Sequence, residues 1–135
     1  MITRSILETY PDTDLVTMEG AAFFSLDPDK HWPNFATIVW TDDFNQTSNL
    51  SRPGFFRLNI VVARATFERL VGADIDPDYT VSHRLLPHPV YARQRWISIL
   101  NPSDATFHDV VLPLLAEAHY RLASQRAGNR SSSAD

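Results

Sequence analysis

The sequence predicts an α+β fold: an antiparallel sheet with the N- and C-terminal helices packed on one face. Three observations lead there. Runs of strand type fill the middle of the chain, a long helical pattern closes it, and the order α, several β, α, β, α lacks the regular alternation that builds a parallel sheet. With 135 residues, 44% hydrophobic and 21% charged, the chain has the size and balance of one globular domain. We place that single domain at residues 1–125.

Taken in order, "TRSILETYP" reads as a short helix that ends before Pro11, because a proline disfavours helix in the residue preceding it. "DLVTMEGAAFFSLDP" reads as two short strands around a Glu19-Gly20 turn, and "FATIVW" (35–40) as a third. "TDDFNQTSNLSRPG" is a polar loop. "FFRLNIVVA" is the cleanest strand, with Phe56, Leu58, Ile60 and Val62 on one side and Arg57, Asn59 and Val61 on the other. "RATFERLVG" is a short helix stopped by Gly72. The proline-broken stretch 73–90 is irregular.

"RWISIL" is a further strand, with Ile97 and Ile99 opposite Trp96 and Ser98. The last helix is capped by Asn101 or Ser103 and buries a stripe of Phe107, Val111, Leu114, Ala118 and Leu122. Pro113 is a cost inside it, met by a kink or by a later start. "RAGNRSSSAD" (126–135) has no apolar periodicity and reads as a disordered tail.

Composition excludes several functions. Net charge is −4, and eleven arginines accompany a single lysine, so a polycationic surface for nucleic acid is disfavoured. The chain has no cysteine, which removes disulfides, thiolate metal sites and thiol nucleophiles. The N-terminus has no apolar signal core and no run is long enough to span a membrane, so the expected location is cytoplasmic. Phosphate-cradling glycine motifs, G-x-S-x-G and H-E-x-x-H are all missing. Neither a cofactor nor a metal is expected; His83 and His88, five apart, have no carboxylate nearby to complete a ligand set. The pairs Asp12/Asp14, Asp27/Asp29 and Asp42/Asp43 fall in turns, where Asp bonds its own backbone.

Strand parity locates a candidate site. If Leu58, Ile60, Ile97 and Ile99 face the helices, the other face receives Arg57, Asn59, Trp96 and Ser98. "HPVYARQRW" then brings His88, Tyr91, Arg93 and Arg95 to its margin. Arg57, Arg93 and Arg95 would recognise charge, Asn59 and Tyr91 would hydrogen-bond, and Trp96 would stack. His88, held between prolines, is the candidate acid/base. Set against this is a solvated sheet face with Trp96 covered by the loop.

The segments "FATIVWTDDF", "LSRPGFFRLNIVVARATFERL", "HPVYARQRWISILNPS" and "LLAEAHYRLA" resemble a mainly actinobacterial family, the domain of unknown function 6194. More distantly the order is similar to the MmcQ/YjbR-like proteins. That resemblance implies a CyaY-like α+β fold, with a Trp-led strand after a basic segment and a Tyr-x-Leu ending, here Tyr120-Arg121-Leu122. DNA binding has been proposed for that group; here Pro-Val-Tyr replaces part of the basic segment.

The leading functional expectation is a small binding or accessory protein that holds an anionic or aromatic small ligand, or a peptide, on the free sheet face. The rivals are a small enzyme of specialised metabolism using His88, and a nucleic-acid binder using Arg84, Arg93 and Arg95. A Trp-bearing sheet face is also a candidate homodimer interface.

Overall fold

The computed structural model describes residues 2–43, 46–73 and 76–134, with side chains as far as residue 128. Helix α1 (Ile2–Thr9) precedes strands β1 (Asp14–Met18), β2 (Ala21–Ser25), β3 (Asn34–Val39) and β4 (Arg57–Val61). Helix α2 (Arg64–Val71), strand β5 (Leu86–Pro87), a 3-10 turn (Ala92–Gln94) and strand β6 (Trp96–Leu100) follow. The chain closes with α3 (Asp104–Thr106), a π turn (Phe107–Val111) and α4 (Leu112–Ala134). The six strands form one antiparallel sheet in the order β1-β2-β3-β4-β6-β5. This is an α+β fold.

Register explains the two faces. Phe24 lies opposite Ala36, which meets Ile60, which meets Ile97; Ala22, Ile38, Leu58 and Ile99 make the parallel row. Side chains directly opposite in an antiparallel pair share a face. Both rows are buried with Ile2 and Ile6 of α1, Phe67 and Val71 of α2, and Val111, Leu115, Ala118 and Leu122 of the C-terminal helix. The helices therefore cover this side of the sheet.

The alternate residues form the other face. One row runs Val16, Phe23, Thr37, Asn59, Ser98, Leu86; the next runs Met18, Ala21, Val39, Arg57, Leu100. Leu50 and Phe55, from the loop after β3, pack on Ala21, Val39 and Leu100 and roof one end of this face. The rest lies open.

Local chemistry accounts for the element ends. Gly20 turns the β1–β2 hairpin at φ +84°, and a Cβ there would collide with the Thr41 methyl. Ser103 caps the C-terminal helix by accepting from Thr106 N at 3.2 Å. Asn101 instead ties β6 to β4, accepting from Phe56 N at 2.8 Å and donating to Gly54 O at 3.0 Å. Pro113 is the second residue of α4, directly after the π turn. The π turn before it, where Leu112 N reaches back to Phe107 O, opens the ring that a proline would otherwise crowd. Gly72 closes α2 in right-handed conformation, φ −63°, so its lack of a side chain against Glu68 matters more than its freedom.

Two expectations need adjustment. Residues 73–90 contain a short strand, β5, which adds to the edge of β6. The C-terminal segment from 126 runs on as helix to Ala134, and Arg126 reaches Asp27 Oδ2 at 3.3 Å. Among the described residues no helix is long and apolar enough to cross a membrane.

Helix α2 has no side-chain cap of its own, since its N-cap position is Ala63. Glu117 on α4 takes that part: its carboxylate accepts from Ala63 N at 3.0 Å and from Thr66 Oγ1 at 2.7 Å. Removing a capping oxygen costs about 1–2 kcal/mol. Glu117→Ala should lower unfolding stability in urea by about that much, with Glu117→Gln losing less. An unchanged midpoint in both variants would show that α2 is held by packing alone.

Candidate functional site

The free sheet face holds a cleft of about 460 Å³. Its floor is built from β3 and β4, where Thr37, Val39, Arg57 and Asn59 project at alternate positions. Its walls come from loops and strand ends: Phe23, Trp32 and Asn34 on one side, His88, Val90, Tyr91 and Trp96 on the other. The proposed strand parity holds, because positions 57, 59, 96 and 98 emerge together, away from the helices.

Arg57 is the central feature. It is only 2% exposed, yet its hydrogen bonds go to neutral oxygens: Nε donates to Asn59 Oδ1 at 3.1 Å and Nη1 to Ser48 Oγ at 3.1 Å. Asn59 Oδ1 also accepts from Ser98 Oγ at 2.7 Å, while its Nδ2 donates to Thr37 Oγ1 at 3.0 Å. A guanidinium can only donate, so it fixes which way the Asn59 amide points. Burial pulls the guanidinium below its ordinary value, and the fields of Tyr79 and Asp42 oppose that pull. The floor of the cleft is thus a desolvated cation locked into a polar network.

His88 lies beside it. The ring is 7% exposed, and its Nδ1 accepts from both Val90 N and Tyr91 N, each at 3.0 Å. Two backbone donors aimed at Nδ1 leave no place for a proton there, so the neutral ring carries its hydrogen on Nε2. Burial first, and the Arg57 charge second, push its pKa down to about 3. Both features weigh against the acid/base role expected for His88. A group near pKa 3 with one nitrogen committed to a turn does not exchange protons usefully at neutral pH. In the neutral form Nε2–H is the ring's one N–H donor.

Aromatic rings surround these groups. Tyr91 and Trp96 flank the His88 ring at 5.1 and 6.5 Å between centroids. Tyr91 is 54% exposed and Trp32 68%, so the rim is open to a ligand.

The structure thus brings together Arg57, Asn59, His88, Tyr91 and Trp96, and leaves out Arg93 and Arg95. Arg93 lies exposed on the 3-10 turn, outside the cleft lining. Arg95 adopts a left-handed φ of +68°, donates to Arg93 O, and lies 5.9 Å over the Phe67 ring of α2. That is the helix side of the sheet. Alternation carries side chains predictably along a strand, but the turn at 92–94 resets it.

Phe23, Asn34, Thr37 and Trp32 escaped the sequence reading. Phe23 and Thr37 share a row with Asn59, so β2–β3–β4 pairing would have revealed them. Trp32 had a weaker signal, a large ring beside a proline in the polar run "DKHWPN".

A larger hollow of about 1050 Å³ lies at the sheet end, between Trp40, Arg52, Phe55, His83 and Pro102. Two of its charged groups, Asp42 and Arg52, are spent on the fold. Asp42 accepts from Leu50 N and Ser51 N at 2.7 and 3.1 Å, so it pins the loop, as the turn reading of Asp42/Asp43 expected. Arg52 donates to the Asn49, Ser48 and Thr80 carbonyls and stacks on Phe55 at 3.7 Å. We take the smaller cleft as the site because it joins open aromatic walls to a buried charge. Among the described residues no three His, Asp or Glu side chains converge as metal ligands.

The chain belongs to a family of unknown function (DUF6194), whose model matches residues 1–132. No curated protein and no solved structure matches it.

His88 makes stability depend on pH. Its folded pKa of about 3 lies below the ordinary 6.5, so the unfolded chain binds the proton that the folded ring refuses. Stability is full above 6.5 and falls as pH drops through the window down to 3. Between pH 7 and 5 the loss should be about 2 kcal/mol from this residue. Urea unfolding at both pH values, in wild type and His88→Asn, measures it; equal pH slopes in the two would remove the assignment.

Proposed function

We propose that this member of the DUF6194 family is a small binding protein that holds an anionic, ring-bearing small ligand in the cleft on the free sheet face. One observation carries the reading. Arg57 is sealed from solvent at the floor of an aromatic-walled cleft with its hydrogen bonds made to neutral partners, Ser48 and Asn59. Burying an ion costs several kcal/mol unless an opposite charge offsets it. A ligand anion would supply that charge in a desolvated setting, where it counts most.

The remaining groups fit that role. His88 contributes a neutral donor whose protonation is fixed across the physiological range. Asn59, Thr37 and Ser98 keep the guanidinium from swinging, so little order has to be created on binding. The cleft volume of about 460 Å³ lies within the range of small-molecule sites. With Nδ1 of His88 committed to the 88–91 turn, the binding reading fits the site better than the enzymatic alternative.

The reading is tested by titrating labelled protein with a panel of small aromatic acids and following its amide and indole signals. Backbone signals of Arg57, Asn59 and Tyr91 should shift with the indoles of Trp96 and Trp32. Arg57→Met should keep a folded spectrum and weaken binding by about tenfold to a hundredfold, the worth of a lost charge-assisted hydrogen bond. Tyr91→Ala, at an exposed position, should weaken it without touching the fold. Wild-type affinity in both variants would place any binding elsewhere.

A further inference from the structure

We infer that the ligand class of this cleft is a singly charged aromatic carboxylate, rather than a phosphorylated or a neutral ring compound. The inference rests on the binding reading above and narrows it. Three independent features of the site lead to it.

Charge comes first. The floor offers one cation, Arg57, and the His88 ring beside it is neutral because two backbone N–H groups occupy its Nδ1. Asp42 already lends Arg57 part of a negative field from the loop. One ligand charge is matched by this arrangement, while a second would sit uncompensated in a desolvated site. That disfavours a phosphate monoester, which carries close to two charges at neutral pH.

The available donors come second. Phosphate sites draw on helix N-termini, on nests of free backbone N–H groups, on lysine, or on arginine with further donors beside it. The cleft floor is the middle of a sheet, and β4 is paired on both sides, to β3 and to β6. Its backbone donors are committed to the ladder. What remains is side-chain recognition by a planar guanidinium and one imidazole N–H, a set that suits the two oxygens of a carboxylate.

The walls come third. Trp32 and Tyr91 are exposed at the mouth while Trp96 and Phe23 are half-buried along the sides. Flat rings on opposite walls accept a flat ring between them. An aliphatic acid would leave those faces wet. The order from floor to mouth, cation then aromatic, reads as the outline of a carboxylate attached to a ring system.

Calorimetric titration with naphthoate, naphthyl phosphate and naphthalenemethanol at neutral pH and fixed ionic strength tests this. The three probes share one ring system and differ only in the head group. Naphthoate should bind at least about tenfold more tightly than either of the others. In Arg57→Met, checked for folding by circular dichroism, naphthoate should fall to the level of the alcohol. Phosphate binding as tightly as carboxylate, or the alcohol as tightly as both, would overturn the carboxylate assignment while leaving an occupied cleft. No heat from any probe would overturn the binding reading as well.

Discussion

A guanidinium removed from water, with neutral oxygens as its hydrogen-bond partners, is the constraint on which the rest of the free sheet face depends. Arg57 sits on β4 and reaches Asn59 two residues along the same strand, Ser48 in the covering loop and, through Asn59, Ser98 on β6. Each of these groups is placed by sheet register or by the loop pinned at Asp42. Burial first, and the same charge second, keep His88 neutral. The network therefore couples the loop after β3, the central strands and the 88–91 turn.

The division of labour between the two sheet faces follows from period-two alternation. On the helix side, Leu58, Ile60, Ile97 and Ile99 complete an apolar core with both terminal helices. On the other side, the same strands carry Arg57, Asn59 and Ser98, all buried although polar. Buried polar networks of this kind rigidify the groups they join. Glu117 shows the milder version, a carboxylate on α4 spent on capping α2.

Much of this was legible in the chain itself. Alternation in "FFRLNIVVA" and "RWISIL" is strong enough to assign both faces, and it placed Arg57, Asn59 and Trp96 correctly. Legibility stopped where strands stopped. Arg93 lies within a 3-10 turn and Arg95 is itself left-handed, and no periodicity encodes the direction of either. The chemistry of His88 was equally hidden, because it depends on two backbone N–H groups folding back onto Nδ1 and on the charge of a residue 31 positions away. Trp32 enters the cleft from a loop, so its role depends on tertiary geometry alone. The π turn ahead of Pro113 likewise has no counterpart in a helical wheel.

If Arg57 is kept for a ligand, the fold itself should not need its charge. Replacing the guanidinium by an apolar side chain of similar length removes its desolvation cost, and that gain is set against the hydrogen bonds lost to Ser48 and Asn59. The direct measurement is the unfolding free energy of Arg57→Met against wild type in urea, without added ligand. Our account predicts a variant at least as stable as wild type, with a gain of up to a few kcal/mol. A loss of more than about 2 kcal/mol would mean that the guanidinium is a structural tie, and the cleft would lose its reason for holding a cation.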